Sequence, residues 1–319
     1  MGAGGSAKKL SAILRPKSIA IIGASTSPDK LGHEIMKNIL DSGFQGAVYP
    51  INPKADAVLN LPCHVSVKDI AEAPDMAVII IPARFVPQAV EECGQKGVKG
   101  AVIITGGFSE AGPEGEFLQH QVVDIAQRNG IRIIGPNCQG VNNPHCPVCA
   151  SWPLLTRKGK IALISQSGTV GAAMMDWLSE EKLGTASFVS MGNRADVDEA
   201  DLIAYFNQDQ STEVIAAYIE GIKRPEHFIK AVEQLQKPLV VLKSGRTPKG
   251  KVAAESHTKA LAGADAIYEA LFARYNIYRA YTIEEFYDFA KALAYLKPPK
   301  GNRILFITTS GGAAILGTD

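Results

Sequence analysis

Short apolar runs alternate along the chain with stretches in which apolar residues recur every three or four positions. Ser18–Ile22, Ala47–Tyr49, Met76–Ile81, Gly100–Thr105 and Arg132–Ile134 read as one set of strands. Lys160–Ser165, Ala186–Ser190, Val214–Ile219, Pro238–Leu242 and Ile277–Arg279 read as a second. Met76–Ile81 is apolar throughout, the pattern of a strand covered on both faces. Helical spacing is carried by Ile35, Ile39 and Leu40, by Val170 to Leu178, and by Leu261, Ala264, Tyr268, Leu271 and Phe272. A further helix opens at Thr282–Glu285, which has the spacing of a capping box, and runs through Leu296. Strands alternating with helices predict an α/β chain built on parallel sheets.

Breaker residues divide this series. The stretch 142–150, with Asn142, Asn143, Pro144 and Pro147, predicts a domain boundary, and Lys297–Gly301 predicts a linker. After it, Arg303–Thr308, Ser310–Gly312 and Ala313–Leu316 begin another strand, glycine turn and helix. The expected units are residues 10–145, 146–298 and 299–319, the last read as the start of a truncated third domain. Met1–Lys9 is expected to be a flexible leader. A chain of 319 residues suits two domains, each with its own core.

Hydrophobic residues make up 46% of the chain and the formal net charge is +1, which gives no electrostatic case for nucleic acid or a membrane surface. No run reaches transmembrane length. Five cysteines in a long chain argue against a disulfide framework and fit a reducing cytoplasm. Cys146 and Cys149 have metal or redox spacing, but no second pair follows, so no metal is expected.

The turns carry the candidate chemistry. Gly23 to Gly32 joins a strand to a helix, the arrangement of a mononucleotide-binding unit. The dinucleotide fingerprint G-x-G-x-x-G and its downstream acid are missing, and Asn52, Pro53 and Lys54 stand where that acid is needed. An amide and a cation there suit a ligand bearing extra phosphate, NADP or coenzyme A. Ile81 and Pro82 end a strand, where open parallel sheets bind ligands. Ser165, Ser167, Gly168 and Thr169 form a second strand-to-helix turn that offers an anion site or plain helix capping. The string lacks the glycine two residues before Ser167 that a nucleophile elbow requires. Asp196, Asp198 and Asp201 lack calcium-loop spacing and read as turn and cap residues. Glu220 ends another strand, and the basic, glycine-rich stretch Lys243–Asp265 carries His257, an imidazole capable of forming a covalent intermediate.

Ser256-His257-Thr258 followed by Ala260–Gly263, together with Gly135–Cys138, Ser165–Thr169 and Gly192–Asp198, resembles the NDP-forming acyl-CoA synthetases, relatives of the succinyl-CoA synthetase alpha subunit. The resemblance covers residues from about 10 to 319. It implies a Rossmann-like coenzyme A-binding domain followed by a flavodoxin-like ligase domain. It implies contacts to coenzyme A from Gly23, Ser25, Lys30 and Lys54, an adenine shelf at Ile81 and Pro82, and Asn137 near the thioester. Cys138 is expected to be packing. His257 is the implied phosphohistidine, Glu220 its orienting carboxylate, and Ser165–Thr169 the phosphate-holding turn. The implied reaction is acid, coenzyme A and NTP in exchange with acyl-CoA, NDP and phosphate. No phosphate-binding loop for the triphosphate is present, so ATP or ADP and Mg2+ are expected on an ATP-grasp domain or beta subunit outside this chain, in an oligomer. Lys259 departs from the family's glycine. A noncatalytic coenzyme A-binding or acyltransferase-associated module and an NAD(P)-dependent oxidoreductase are the alternatives.

Overall fold

The computed structural model describes residues 10–152, 157–250 and 264–318. His257 and Lys259 lie outside them. Residues 10–14 are helical (α1) and lead into β1 (Ser18–Ile22), α2 (Leu31–Asp41) and β2 (Ala47–Ile51). A small antiparallel pair, β3 (Ala57–Val58) and β4 (Leu61–Pro62), precedes β5 (Met76–Ile79), α3 (Val86–Lys96), β6 (Gly100–Ile103), α4 (Pro113–Asn129) and β7 (Arg132–Ile134). The sheet order is β2-β1-β5-β6-β7, all parallel. Numbered along the chain this is 2-1-3-4-5, a doubly wound order whose direction reverses between β1 and β5.

The hydrophobic runs explain the layers. Met76, Ala77, Val78 and Ile79 are fully buried because β5 is covered on both faces. Met76 and Val78 join one core while Ala77 and Ile79 join another, the two-residue period of a strand.

β8 (Gly140–Asn143) and β9 (Val148–Ser151) follow as a hairpin. The sequence reads as breakers here, yet β8 pairs antiparallel with β11 (Thr185–Ser190) and extends the second sheet. The expected boundary at residues 145 and 146 falls in the hairpin turn. Side-chain amides tie it to the first unit. Asn143 Nδ2 donates to Leu14 O at 2.8 Å, and Asn38 Nδ2 of α2 donates to Trp152 O at 2.8 Å. One apolar core accordingly runs from α2 through the hairpin into the second unit, joining Ile35 and Ile39 to Val148, Ile164 and Phe206.

The second unit comprises β10 (Lys158–Ser165), α5 (Gly168–Glu180), β11, α6 (Glu199–Gln208), β12 (Val214–Ile219), α7 (Pro225–Glu233), β13 (Leu239–Lys243), a helical stretch at 248–250 (α8), α9 (Asp265–Arg274), β14 (Tyr278–Ala280) and α10 (Ile283–Tyr295). Its sheet runs β14-β13-β12-β10-β11-β8-β9. The five parallel strands repeat the order 2-1-3-4-5, with the reversal between β10 and β12. Residues 303–308, expected to form a strand, pair with no neighbour among the described residues. Ile304, Leu305 and Ile307 are more than three-quarters exposed, and α11 (Gly311–Thr318) follows them.

No helix among the described residues is long and apolar enough to cross a membrane.

Candidate functional site

Two groups of expected residues occupy the carboxyl ends of the two sheets. In the first, Gly23 closes β1 with φ +102, and a Cβ there would lie 2.3 Å from Ile80 O. Gly32 lets α2 approach this turn, since its Cβ would meet Gly23 O at 2.0 Å. The N-cap of α2 is Lys30, which supplies no side-chain acceptor to the first-turn N–H groups, leaving that helix end suited to an anion. Ser25 Oγ accepts from Ser27 N at 3.1 Å, and Ser25 O meets His33 Nδ1 at 2.9 Å. Asn52 ties β2 to the same turn, Nδ2 donating to Ala24 O at 2.8 Å while Oδ1 accepts from Lys54 N at 2.8 Å. Lys54 is therefore held by its backbone with its side chain exposed. Ile81 O accepts from Thr105 Oγ1 at 2.8 Å, fixing the strand end before Pro82.

The second group faces it from β7, β10 and β11. A cavity of ≈ 560 Å³ opens between the two sheets, lined by Asn137 and Glu110 from the first unit and by Ser167, Gly168, Thr169 and Arg194 from the second. Asn137, with φ 57, donates its N–H to Thr105 O at 2.9 Å and its amide Nδ2 to Asn193 Oδ1 at 3.3 Å. Gly192 makes the approach possible, for a Cβ would stand 2.2 Å from Pro136 O and 2.4 Å from Asn137 O. The backbone seals the seam through Asn193 N to Pro136 O at 2.8 Å and Ala195 N to Gly135 O at 3.0 Å. Arg132 adds charge, with Nε 2.9 Å from Asp196 and Nη2 3.0 Å from Asp201.

Ser167, Gly168 and Thr169 line the cavity at the start of α5. Ser165 is fully buried, and its hydroxyl donates to Ser167 O, so it braces the turn from below. Ser167 caps α5, its Oγ accepting from Val170 N at 3.4 Å. Cys138 is buried and its thiol is pushed up to about 12 by burial, which removes it as a nucleophile near neutral pH and leaves packing, as expected. All five cysteines are free. Asp198 caps α6 and forms a capping box with Asp201, as the sequence suggests. These two carboxylates and His227 stand close enough to ligate a cation, but Arg224 meets Asp198 at 2.6 Å and Asp201 at 3.1 Å.

Four lining residues were not legible as site residues. Glu110 accepts from Gly107 N and from Asn193 Nδ2, both at 2.5 Å. Burial opposes its charge, but hydrogen bonds from Asn193, Gly107 and Phe108 outweigh that and hold its carboxyl below the usual range. Lys223 donates to Asn193 O at 2.8 Å, and its ammonium is lowered to about 8, first by desolvation and then by Arg194, against the pull of Glu199 and Asp198. Arg194 is buried with φ 54 and donates to Gly221 O at 2.6 Å. Gln166 is buried in the turn between Ser165 and Ser167. A residue quoted inside the Gly192–Asp198 string, or between two named serines, carries no local signal of its own; its partners are distant in the chain.

Glu220 is 5% exposed at the end of β12, hydrogen-bonded to the Tyr218 side chain. At the end of β13 Lys243 Nζ stands 4.6 Å from the Tyr268 ring centroid, and Arg246 after it 4.9 Å from that of Tyr281. His257, the residue Glu220 is expected to orient, is beyond the described residues.

The folds of both units match known families. The CoA binding domain family matches residues 17–144, and the succinyl-CoA ligase like flavodoxin domain matches residues 158–293. The alpha subunit of ADP-forming acetate–CoA ligase I from Pyrococcus furiosus is 44% identical over 97% of this chain and 69% of its own length. This chain belongs to the ADP-forming acyl-CoA ligase family. The 4-hydroxybutyrate–CoA ligase of Nitrosopumilus maritimus is 41% identical over 97% of the chain and 45% of that protein. Among solved structures, the dinucleotide forming acetyl-coenzyme A synthetase 1 of Ca. Korarchaeum cryptofilum, in complex with phosphate and ADP, superposes with a TM-score of 0.93 at 41% identity, covering 97% of this chain and 67% of that one. The chain thus spans between 45% and 69% of the length of the two curated ligases.

Proposed function

We propose that this chain binds coenzyme A across the first sheet and carries a phosphoryl group on His257 in an ADP-forming acyl-CoA ligase. The carrying observation is the row of residues along one sheet edge that ends in the cavity between the units. Lys54, Gly23, Ile81, Glu110 and Asn137 follow β2, β1, β5, β6 and β7 in that order. Four inter-strand steps of about 4.8 Å span about 19 Å, room for one long ligand. Its phosphate-bearing end would lie by Ser25, Lys30 and Lys54 and its adenine against Ile81 and Pro82. Its thiol would reach Asn137 beside the Ser167–Thr169 turn.

The chemistry follows from what the turn and the loop offer. His257 accepts a phosphoryl group from ATP and passes it to the carboxylate substrate, giving an acyl phosphate and free imidazole. The coenzyme A thiolate then attacks the acyl carbon, and phosphate leaves. Ser167, Gly168 and Thr169 compensate the phosphoryl charge with a helix N-terminus, and Asn137 hydrogen-bonds the acyl oxygen. Glu220 accepts a hydrogen bond from one imidazole N–H, which fixes the tautomer and leaves the other nitrogen nucleophilic. ATP and Mg2+ sit on an ATP-grasp domain or subunit outside this chain, in an oligomeric cytoplasmic enzyme.

The complete ligase, incubated with ATP, coenzyme A and a panel of carboxylic acids, tests this directly. Acyl-CoA, ADP and phosphate should appear in equal amounts for at least one acid. AMP and pyrophosphate in place of ADP and phosphate would overturn the proposal.

A further inference from the structure

One side chain joins the anion turn after β10 to the carboxylate at the end of β12. Gln166 is 7% exposed and lies between Ser165 and Ser167. Its Oε1 accepts from Glu220 N at 2.8 Å and from Gly221 N at 3.2 Å. Its Nε2 donates to Gly221 O at 3.0 Å and to Glu199 Oε2 at 3.4 Å. Two backbone donors on one side and a carbonyl with a carboxylate on the other fix which way the amide faces. Both lone pairs and both N–H groups of this amide are used, a saturated buried polar network of the kind that rigidifies its surroundings. Arg194 reinforces the same point, donating to Gly221 O at 2.6 Å and lying 3.3 Å from Glu199.

From this geometry we infer that Gln166 is a positioning residue: it sets the Glu220–Gly221 backbone relative to the Ser167–Thr169 turn, so that the carboxylate and the anion site keep one spacing. The inference rests on the reading of Glu220 as the orienter of His257. Gln166 acts through the strand end, where the Glu220 side chain is hydrogen-bonded to that of Tyr218. No charged side chain serves in its place. A carboxylate would repel Glu199 and offer nothing to Gly221 O, and a lysine or arginine would leave the two N–H groups of Glu220 and Gly221 without an acceptor.

The test uses the complete ligase and labelled ATP, reading the single-turnover rate of His257 phosphorylation, kcat and KM for acyl-CoA formation, and coenzyme A binding by calorimetry. Gln166→Met removes both halves of the clamp, and Gln166→Glu keeps the acceptors while removing the donors, so the fold is tested with and without them. Both variants should lose roughly 10- to 100-fold in phosphorylation rate and kcat. KM for coenzyme A and its binding should stay as in the parent, a split that general destabilisation does not produce. The decisive comparison is with Glu220→Gln. Because Gln166 acts through Glu220, adding Gln166→Glu to Glu220→Gln should slow the reaction by less than about twofold further. Multiplying effects would show that Gln166 works independently of Glu220, and parental rates in both Gln166 variants would show that it positions nothing; either overturns the inference. A parental rate in Glu220→Gln alone would instead remove the orienting role of Glu220, and this inference with it.

Discussion

Arg132 at the start of β7 reaches across the seam to Asp196, Nε to Oδ2 at 2.9 Å, and so holds the first sheet against the loop that follows β11. Both side chains are mostly buried, 15% and 17% exposed, and a second contact at 3.0 Å leads to Asp201. Removing the guanidinium takes one cation from each of two mostly buried carboxylates, although Asp201 keeps Arg224 and Asp196 keeps Ile133 N. Arg132→Ala should destabilise the protein by ~3 kcal/mol, measured by urea unfolding, and weaken phosphate binding at the cavity that this seam closes. An unchanged midpoint would show that the seam is held by its backbone bonds alone.

Coenzyme A should bind in preference to NAD. The end of β2 presents Asn52 and Lys54, and Asn52 is committed to Ala24 and to the Lys54 backbone, so no acid is available there for a ribose hydroxyl. Calorimetry should show coenzyme A binding and none for NAD, and Lys54→Ala should cost about 1.5 kcal/mol if its ammonium meets phosphate. NAD bound more tightly than coenzyme A would reverse the assignment.

The cavity's affinity for anions should fall as pH rises through about 8. Lys223 carries its charge below that point and loses it above. Inorganic phosphate gains negative charge as pH rises from 7 and then stays a dianion, so its own ionisation does not produce the fall. Inorganic phosphate titrated between pH 7 and 9.5 should show the decline, and Lys223→Gln should remove it. The same shift makes a small stability term: unfolded Lys223 keeps its proton up to its ordinary value, so this group's contribution to stability rises with pH from about 8 toward that value.

Much of the fold was legible because the hydrophobic pattern states its own geometry. Met76–Ile79 and Val214–Ile219 are apolar throughout since helices cover both faces, and a parallel sheet follows from that. The β8–β9 hairpin was not legible. Asn142 and Asn143 are poor strand formers, and they sit in a strand because distant groups bond to them, Asn143 Nδ2 donating to Leu14 O and Asn142 O accepting from Ser187 Oγ, a tertiary effect that no window of sequence contains. The site divides in the same way. Ser167–Thr169 belongs to a turn whose local chemistry shows in the sequence, whereas Asn137 was marked only by the family resemblance of Gly135–Cys138. Gln166 meets a partner 54 residues away and Glu110 one 83 residues away, so their roles exist only once the two sheets are joined.

Cys138 should be inert. With its thiol raised to about 12 by burial, iodoacetamide at pH 8 should leave it unmodified in the folded protein, as peptide mass spectrometry would show. Cys138→Ala should retain coenzyme A binding. Rapid alkylation at this position would contradict its assignment to packing.

The most direct measurement is the fate of labelled ATP in the complete ligase. A phosphoryl group on an imidazole nitrogen is labile to acid and stable to base. Mass spectrometry should place it on His257, find none in His257→Asn, and show that this variant still binds coenzyme A. Lys259→Gly, two residues after His257, should change the lifetime of the phosphoenzyme without moving the site. Full acyl-CoA synthesis by His257→Asn, or label found only on another residue, would contradict the mechanism.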